Sequence, residues 1–266
     1  MILVTGTKRS GTSLWMQILA GAGLPVIGDA FPAEWGESIR AANPNGFFES
    51  KLRQGIFYAT NPEPKTGKFL HPKETRRHVV KVFIPGLCRT DYAYLDRVVG
   101  TLRRWRDYGS SLKRLYDLED AHLEKKGGDE LEKARKRRPP LEPHVEWFWE
   151  NYELIRDFSA RRFPMRLYSY ERLLEDPERI VDTVLPWVGG GDRAGALAAI
   201  QPGLHTKRED PTPEGVDPAH AAVFDELYDT LHHERPLPAS LTKQMDALHK
   251  ELVAAHGELS KERGRE

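Results

Sequence analysis

Apolar and polar positions follow two different periods along this chain. Residues 1–5 (MILVT) form a short apolar run of the kind a strand buried on both faces requires. Residues 14–22 then carry apolar side chains at helical spacing, with Gly21 and Gly23 marking the end. The pattern predicts a strand, a tight turn at 6–13 (GTKRSGTS) and a helix beginning near Thr12. Residues 25–45 lack periodicity and contain Gly28, Pro32, Gly36 and Pro44, so they read as loop with a short helical piece. They end in NPNGFFES (43–50), a turn that Phe47 and Phe48 would pin to the core. Residues 78–84 (HVVKVFI) predict a buried strand stopped by Pro85 and Gly86, and further strands are predicted at 97–102 (RVVGTL) and 165–169.

The helical periods lie mostly in the second half. Residues 144–163 carry Trp147, Phe148, Trp149 and Tyr152, an aromatic stripe that reads as core. Residues 112–138 are highly charged, broken at Gly127 and Gly128 and closed by Pro139 and Pro140. They read as an exposed helical insertion with a solvated face, or as a lid over an acceptor site. Residues 217–266 predict two helices split near Pro236 and Pro238. Strands alternating with helices argue for an α/β fold of three layers, a central parallel sheet flanked by helices. The length suits one domain over 1–266, with the insertion at about 115–142 and a helical extension at about 217–266.

The turn at 6–13 holds the chemistry. Backbone N–H groups of a turn and of a helix's first residues lack intrahelical partners, and with the positive end of the helix dipole they make an anion site. Lys8 and Arg9 add charge, and the hydroxyls of Ser10, Thr12 and Ser13 add donors beside Gly11. The spacing also matches a Walker loop at Gly6, Gly11 and Ser13, but Thr12 replaces the lysine that reaches the β/γ-phosphates. That argues against ATP or GTP while keeping a P-loop-like phosphate cradle.

KRSGTS (8–13) resembles the 5′-phosphosulfate loop of sulfotransferases that use 3′-phosphoadenosine 5′-phosphosulfate (PAPS). In that family a second motif, R-x-x-x-D-x-x-x-S, follows a strand and binds the nucleotide 3′-phosphate, and Arg103, Asp107 and Ser111 hold that spacing. The blocks at 24–29 (LPVIGD) and 43–49 (NPNGFFE) are similar to bacterial members. The resemblance implies a donor site of Lys8, Arg9, Ser10, Gly11, Thr12, Ser13, Arg103 and Ser111, with Tyr170 approaching the adenine and Lys207 and Arg208 returning to the 3′-phosphate. Lys81 falls where the family's K-T-H-L-P segment has its charge-stabilising lysine, but Phe83 stands in place of the histidine base. The family's adenine-stacking tryptophan position is here Leu14, and Trp15 reads as core.

The implied reaction is in-line transfer of a sulfuryl group from PAPS, as co-substrate, to an acceptor hydroxyl or amine, with no metal expected. Arg9 and Lys81 would stabilise charge on the leaving oxygens. Glu49 and then Asp29 are the candidate bases, since Phe47 and Phe48 would fix Glu49, and His71 comes third. A P-loop kinase with a degenerate Walker loop, or a non-catalytic nucleotide-binding protein, are the alternatives.

Composition narrows the partners. Forty acidic and forty basic residues cancel, so no global field recruits nucleic acid or a membrane. The single cysteine, Cys88, excludes an intrachain disulfide and suits a reducing compartment, where it reads as a packed small side chain. No leader or membrane-spanning run is evident, and a cytoplasmic protein with a small-molecule or glycan acceptor is expected.

Overall fold

Five strands form one sheet in the computed structural model of this protein, which describes residues 1–31, 43, 45–61, 67–124, 128–136, 138, 141–201, 213 and 215–263. They are β1 (Ile2–Thr5), β2 (Val26–Ile27), β3 (Val79–Lys81), β4 (Arg97–Leu102) and β5 (Met165–Ser169). Their spatial order is β2-β3-β1-β4-β5, and every neighbouring pair is parallel. Alternation assigns the faces: Ile2 and Val4 belong to one core cluster, Met1 and Leu3 to another. All four are buried, as a sheet covered on both sides demands.

The helices are α1 (Thr12–Gly21), α2 (Ile84–Arg89), α3 (Trp105–Glu124), α4 (Gly128–Lys136), α5 (Pro143–Arg161), α6 (Tyr170–Glu175), α7 (Pro177–Trp187), α8 (Arg193–Ala198), α9 (Pro218–His232) and α10 (Ala239–Arg263). Side chains of α1 and α7 cover one face of the sheet, and those of α2 and α5 pack on the other. A third cluster joins α3, α5, α9 and α10 around Phe224, against which Trp105, Trp147 and Phe148 all pack. The fold is therefore α/β in three layers. Among the described residues no helix is long and apolar enough to cross a membrane.

Several boundaries depart from the periodic pattern. The strand expected over 78–84 stops at Lys81, and Pro85 and Gly86 lie inside α2, because proline suits a helix's first turn. Strand β2 is only two residues long, too short to leave a period. Gly21 closes α1 as expected, and it also lets α8 approach: a Cβ there would stand 2.4 Å from the Gly195 carbonyl oxygen. The predicted insertion is the outer part of α3 followed by α4, with Asp120 of α3 receiving Arg135 and Arg138. Helix α5 carries the aromatic stripe, with Trp147 and Phe148 wholly buried.

Candidate functional site

Strand β1 lies inside the sheet, with β3 on one side and β4 on the other. The chain leaves β1 for β2 and β3 on one side and later crosses to β4 and β5, so the order reverses there. Ligands of open parallel sheets bind at such a switch, outside the carboxyl ends of the strands. The turn after β1 occupies it. Arg9 adopts φ 63° and Gly11 φ 104°, and Gly11 precedes α1 without any side-chain cap. The first N–H groups of α1 therefore face outward from an uncapped terminus. Ser10 donates to the Thr7 carbonyl oxygen (2.7 Å), and Thr101 of β4 donates to the Ser10 carbonyl oxygen (2.9 Å). Ser10 thus builds the loop from within, whereas Ser13 stands at its mouth, half-buried, and Thr12 is buried beneath it.

Two arginines meet at this loop. Arg103, the residue after β4, and Arg9 both donate to the Ser111 hydroxyl oxygen, at 3.2 and 3.3 Å. Among the described residues neither guanidinium has a carboxylate partner. Burial and the neighbouring Arg103 charge hold the Arg9 pKa below its ordinary value. Two like charges gathered without a counter-ion are an arrangement that an anion stabilises. Tyr170 closes the third side: the Arg103 guanidinium lies 5.1 Å from its ring centroid, and a Cβ on Gly11 would stand 2.7 Å from its Cδ2. The C-terminal region positions that tyrosine. Ser169 caps α6 and pairs with His232 Nδ1 (2.8 Å), while Glu171 of α6 accepts from the Tyr228 hydroxyl (2.9 Å) and the Arg104 N–H (3.3 Å).

Lys81 ends β3 in the same crevice and is 2% exposed. Its ammonium donates to the Phe47 carbonyl oxygen (2.6 Å) and the Ser13 hydroxyl (3.2 Å), and pairs with Glu49 Oε1 (2.6 Å). Burial lowers its pKa, with Glu49 opposing. Glu49 Oε2 pairs with Arg53 (3.2 Å), so both oxygens of this acid are held by cations. Asp29 and Glu49 exchange backbone hydrogen bonds at 3.0 Å in an antiparallel bridge, with Glu49 buried and Asp29 exposed. The fold gathers Arg9, Ser13, Lys81, Arg103, Ser111, Tyr170 and Glu49 around one mouth. His71 is exposed in the segment before β3, and Trp15 is wholly buried, stacked on Tyr168 at 6.0 Å. Lys207 and Arg208 lie outside the described residues.

A second group escaped the sequence reading. Lys8 reaches Glu146 of α5 (3.9 Å), which is 4% exposed and neighbours Glu150 one turn along. The signal was present as two acids interleaved with the aromatic stripe of α5. A cavity of about 630 Å³ opens on the opposite side of α3, between Trp105, Gly109, Lys113, Tyr116 and His144, and none of the expected site residues lines it. Among the described residues no three His, Cys, Asp or Glu side chains are grouped to hold a metal ion. The uncapped α1 terminus and the Arg9–Arg103–Ser111 cluster are two neighbouring groups of donors at the turn after β1. Set against protein-family models and curated protein sequences, the chain matches none.

Proposed function

We propose that this protein transfers a sulfuryl group from PAPS to an acceptor hydroxyl or amine. The observation that carries the reading is the convergence of Arg9 and Arg103 on Ser111 beside an uncapped helix terminus. A nucleoside monophosphate would leave one of these two donor groups unsatisfied, whereas a nucleotide with a 3′-phosphate and a 5′-phosphosulfate engages both. The donor supplies an activated sulfuryl group whose departure leaves negative charge on the 5′-phosphate oxygen. Arg9, Lys81 and the N–H groups of α1 would hold that charge in place, and fixed donors of this kind need no reorganisation as it grows. Ser111 and Arg103 would anchor the 3′-phosphate, and Tyr170 would flank the nucleotide.

Glu49 and Asp29 are the acids on the Lys81 side of the crevice and stay the candidates for accepting the acceptor's proton. Both oxygens of Glu49 are engaged by Lys81 and Arg53, so one of those cations must turn to the donor before a Glu49 oxygen is open to the acceptor. A P-loop kinase would use the same crevice for a nucleoside triphosphate with magnesium. Thermal unfolding with 3′-phosphoadenosine 5′-phosphate in EDTA, compared with Mg-ATP, separates the two. At a hundred times its dissociation constant the bisphosphate should stabilise the protein by about 2.7 kcal/mol. Stabilisation by Mg-ATP alone would reject sulfuryl transfer in favour of the kinase.

A further inference from the structure

The Ser111 hydroxyl of α3 is 6% exposed and accepts from Arg9 Nε (3.3 Å) and Arg103 Nη1 (3.2 Å). Two donors occupy both lone pairs of its oxygen, so its own proton is left to give away. Among the described residues no atom accepts it. A buried hydroxyl proton without an acceptor, held between two guanidinium groups, fits an anion and not a neutral group.

Helix α3 brings a third guanidinium to the same place. Arg114 stands three residues after Ser111, so the two share a helix face. Helical side chains lean toward the N-terminus, and Arg114 therefore lies back over the turn that holds Ser111. Its charge reaches Arg9: after burial and Arg103, Arg114 is a further cause that lowers the Arg9 pKa, against Tyr170, which raises it. The acids further along α3 are engaged elsewhere. Asp117 pairs with Lys113 (2.8 Å), Asp120 with Arg135 and Arg138, and Glu119 with Arg138. Arg114 is exposed and makes no ion pair among the described residues. Three like charges around one hydroxyl repel one another in the empty site, and a dianion relieves that repulsion. A phosphate monoester brings a charge of about −1.5 to −2 and three acceptor oxygens, which a ribose hydroxyl lacks.

We propose that Arg114 is the selectivity residue of this cluster: it folds over a phosphate monoester anchored by Arg103 and Ser111, and so separates nucleotides that carry a 3′-phosphate from those that do not. Placing that phosphate at the 3′ position of the donor rests on the sulfuryl-transfer reading. The long exposed side chain can close on the phosphate after the nucleotide has entered, and its planar fork suits two phosphate oxygens at once.

Calorimetric titration of the full chain in EDTA tests this, with 3′-phosphoadenosine 5′-phosphate against adenosine 5′-monophosphate. The wild type should bind the bisphosphate about a hundredfold more tightly than the monophosphate. Arg114→Gln should weaken the bisphosphate roughly tenfold and leave the monophosphate unchanged. Because the side chain is exposed, that variant should keep the wild-type melting temperature. Arg114→Lys, which keeps the charge without the fork, should recover part of the loss. A bisphosphate preference that Arg114→Gln leaves intact, or an equal loss for both nucleotides, overturns the role of Arg114 while the PAPS reading stands. A wild type that binds the two nucleotides alike rejects the PAPS reading, and the selectivity assigned to Arg114 falls with it.

Discussion

Replacing Glu49 by glutamine keeps the shape of the side chain and removes the counter-charge of a buried lysine. Lys81 is 2% exposed and Glu49 7%, and their 2.6 Å contact lies between β3 and the Phe47 segment. In the variant the ammonium keeps two neutral acceptors, the Phe47 carbonyl and the Ser13 hydroxyl, and loses the carboxylate. Removing one partner of a buried ion pair costs about 3–5 kcal/mol. Arg53 adds little, because that side chain is 39% exposed and screened. A loss of this size is a large part of a typical stability of about 5–15 kcal/mol.

The pH dependence of that loss identifies its cause. Burial already holds the Lys81 pKa below its ordinary value, and without Glu49 it falls further. Between the folded and unfolded pKa values the unfolded chain binds more protons, so the stability of the variant rises with pH until about 10.4, where unfolded lysine itself titrates. Urea unfolding at neutral and alkaline pH measures this, with Lys81→Met/Glu49→Gln as the control. The single variant should lose about 3 kcal/mol at neutral pH and less at alkaline pH, and the double variant should recover much of the loss. A single-variant loss below about 1 kcal/mol, the size of an exposed pair, or a loss that ignores pH, would refute the argument.

Three further outcomes follow from the same geometry. Gly11→Ala forces a left-handed φ on alanine at about 1–2 kcal/mol and drives a Cβ toward Tyr170, so both melting temperature and bisphosphate affinity should fall. Arg103→Ala removes a charge-assisted contact worth about 1.5–3 kcal/mol, so bisphosphate affinity measured by calorimetry should fall roughly ten- to a hundredfold. The unliganded variant should melt no lower than the wild type, because Arg9 is relieved of a like charge. Cys88, whose thiol is pushed up to about 12 chiefly by burial, should react with a disulfide reagent far more slowly in the folded than in the urea-unfolded protein, timed by absorbance.

Much of the frame was legible because it is local. The extents of β4 and β5 agree with the runs 97–102 and 165–169, and the start of α1 agrees with Thr12. A short apolar run between turn residues has few other ways to bury itself. The Lys8–Ser13 loop was legible for the same reason, since strand, turn and helix are neighbours in the chain. Strand β2 and helix α2 were not, because two residues carry no period and proline reads as a stop unless the next helix is known.

The roles within the site needed the tertiary structure. Sequence alone established that Arg9 follows a strand and that Arg103 follows another. It did not establish that β1 and β4 are adjacent, the fact that brings two guanidinium groups onto Ser111. Glu49 stood out as a candidate base because it follows Phe47 and Phe48, and its partners Lys81 and Arg53 come from the pairing of Asp29 with Glu49 and from the end of β3. Tyr170 is aimed by α9, whose Tyr228 and His232 lie 58 and 62 residues further along the chain and reach α6 through Glu171 and Ser169. The chain itself determines which segments become strands and where a backbone turn can cradle an anion, because those depend on neighbours within a few residues. Which charges meet, and which are left without partners, depends on strand order and helix packing, and only the folded sheet decides that.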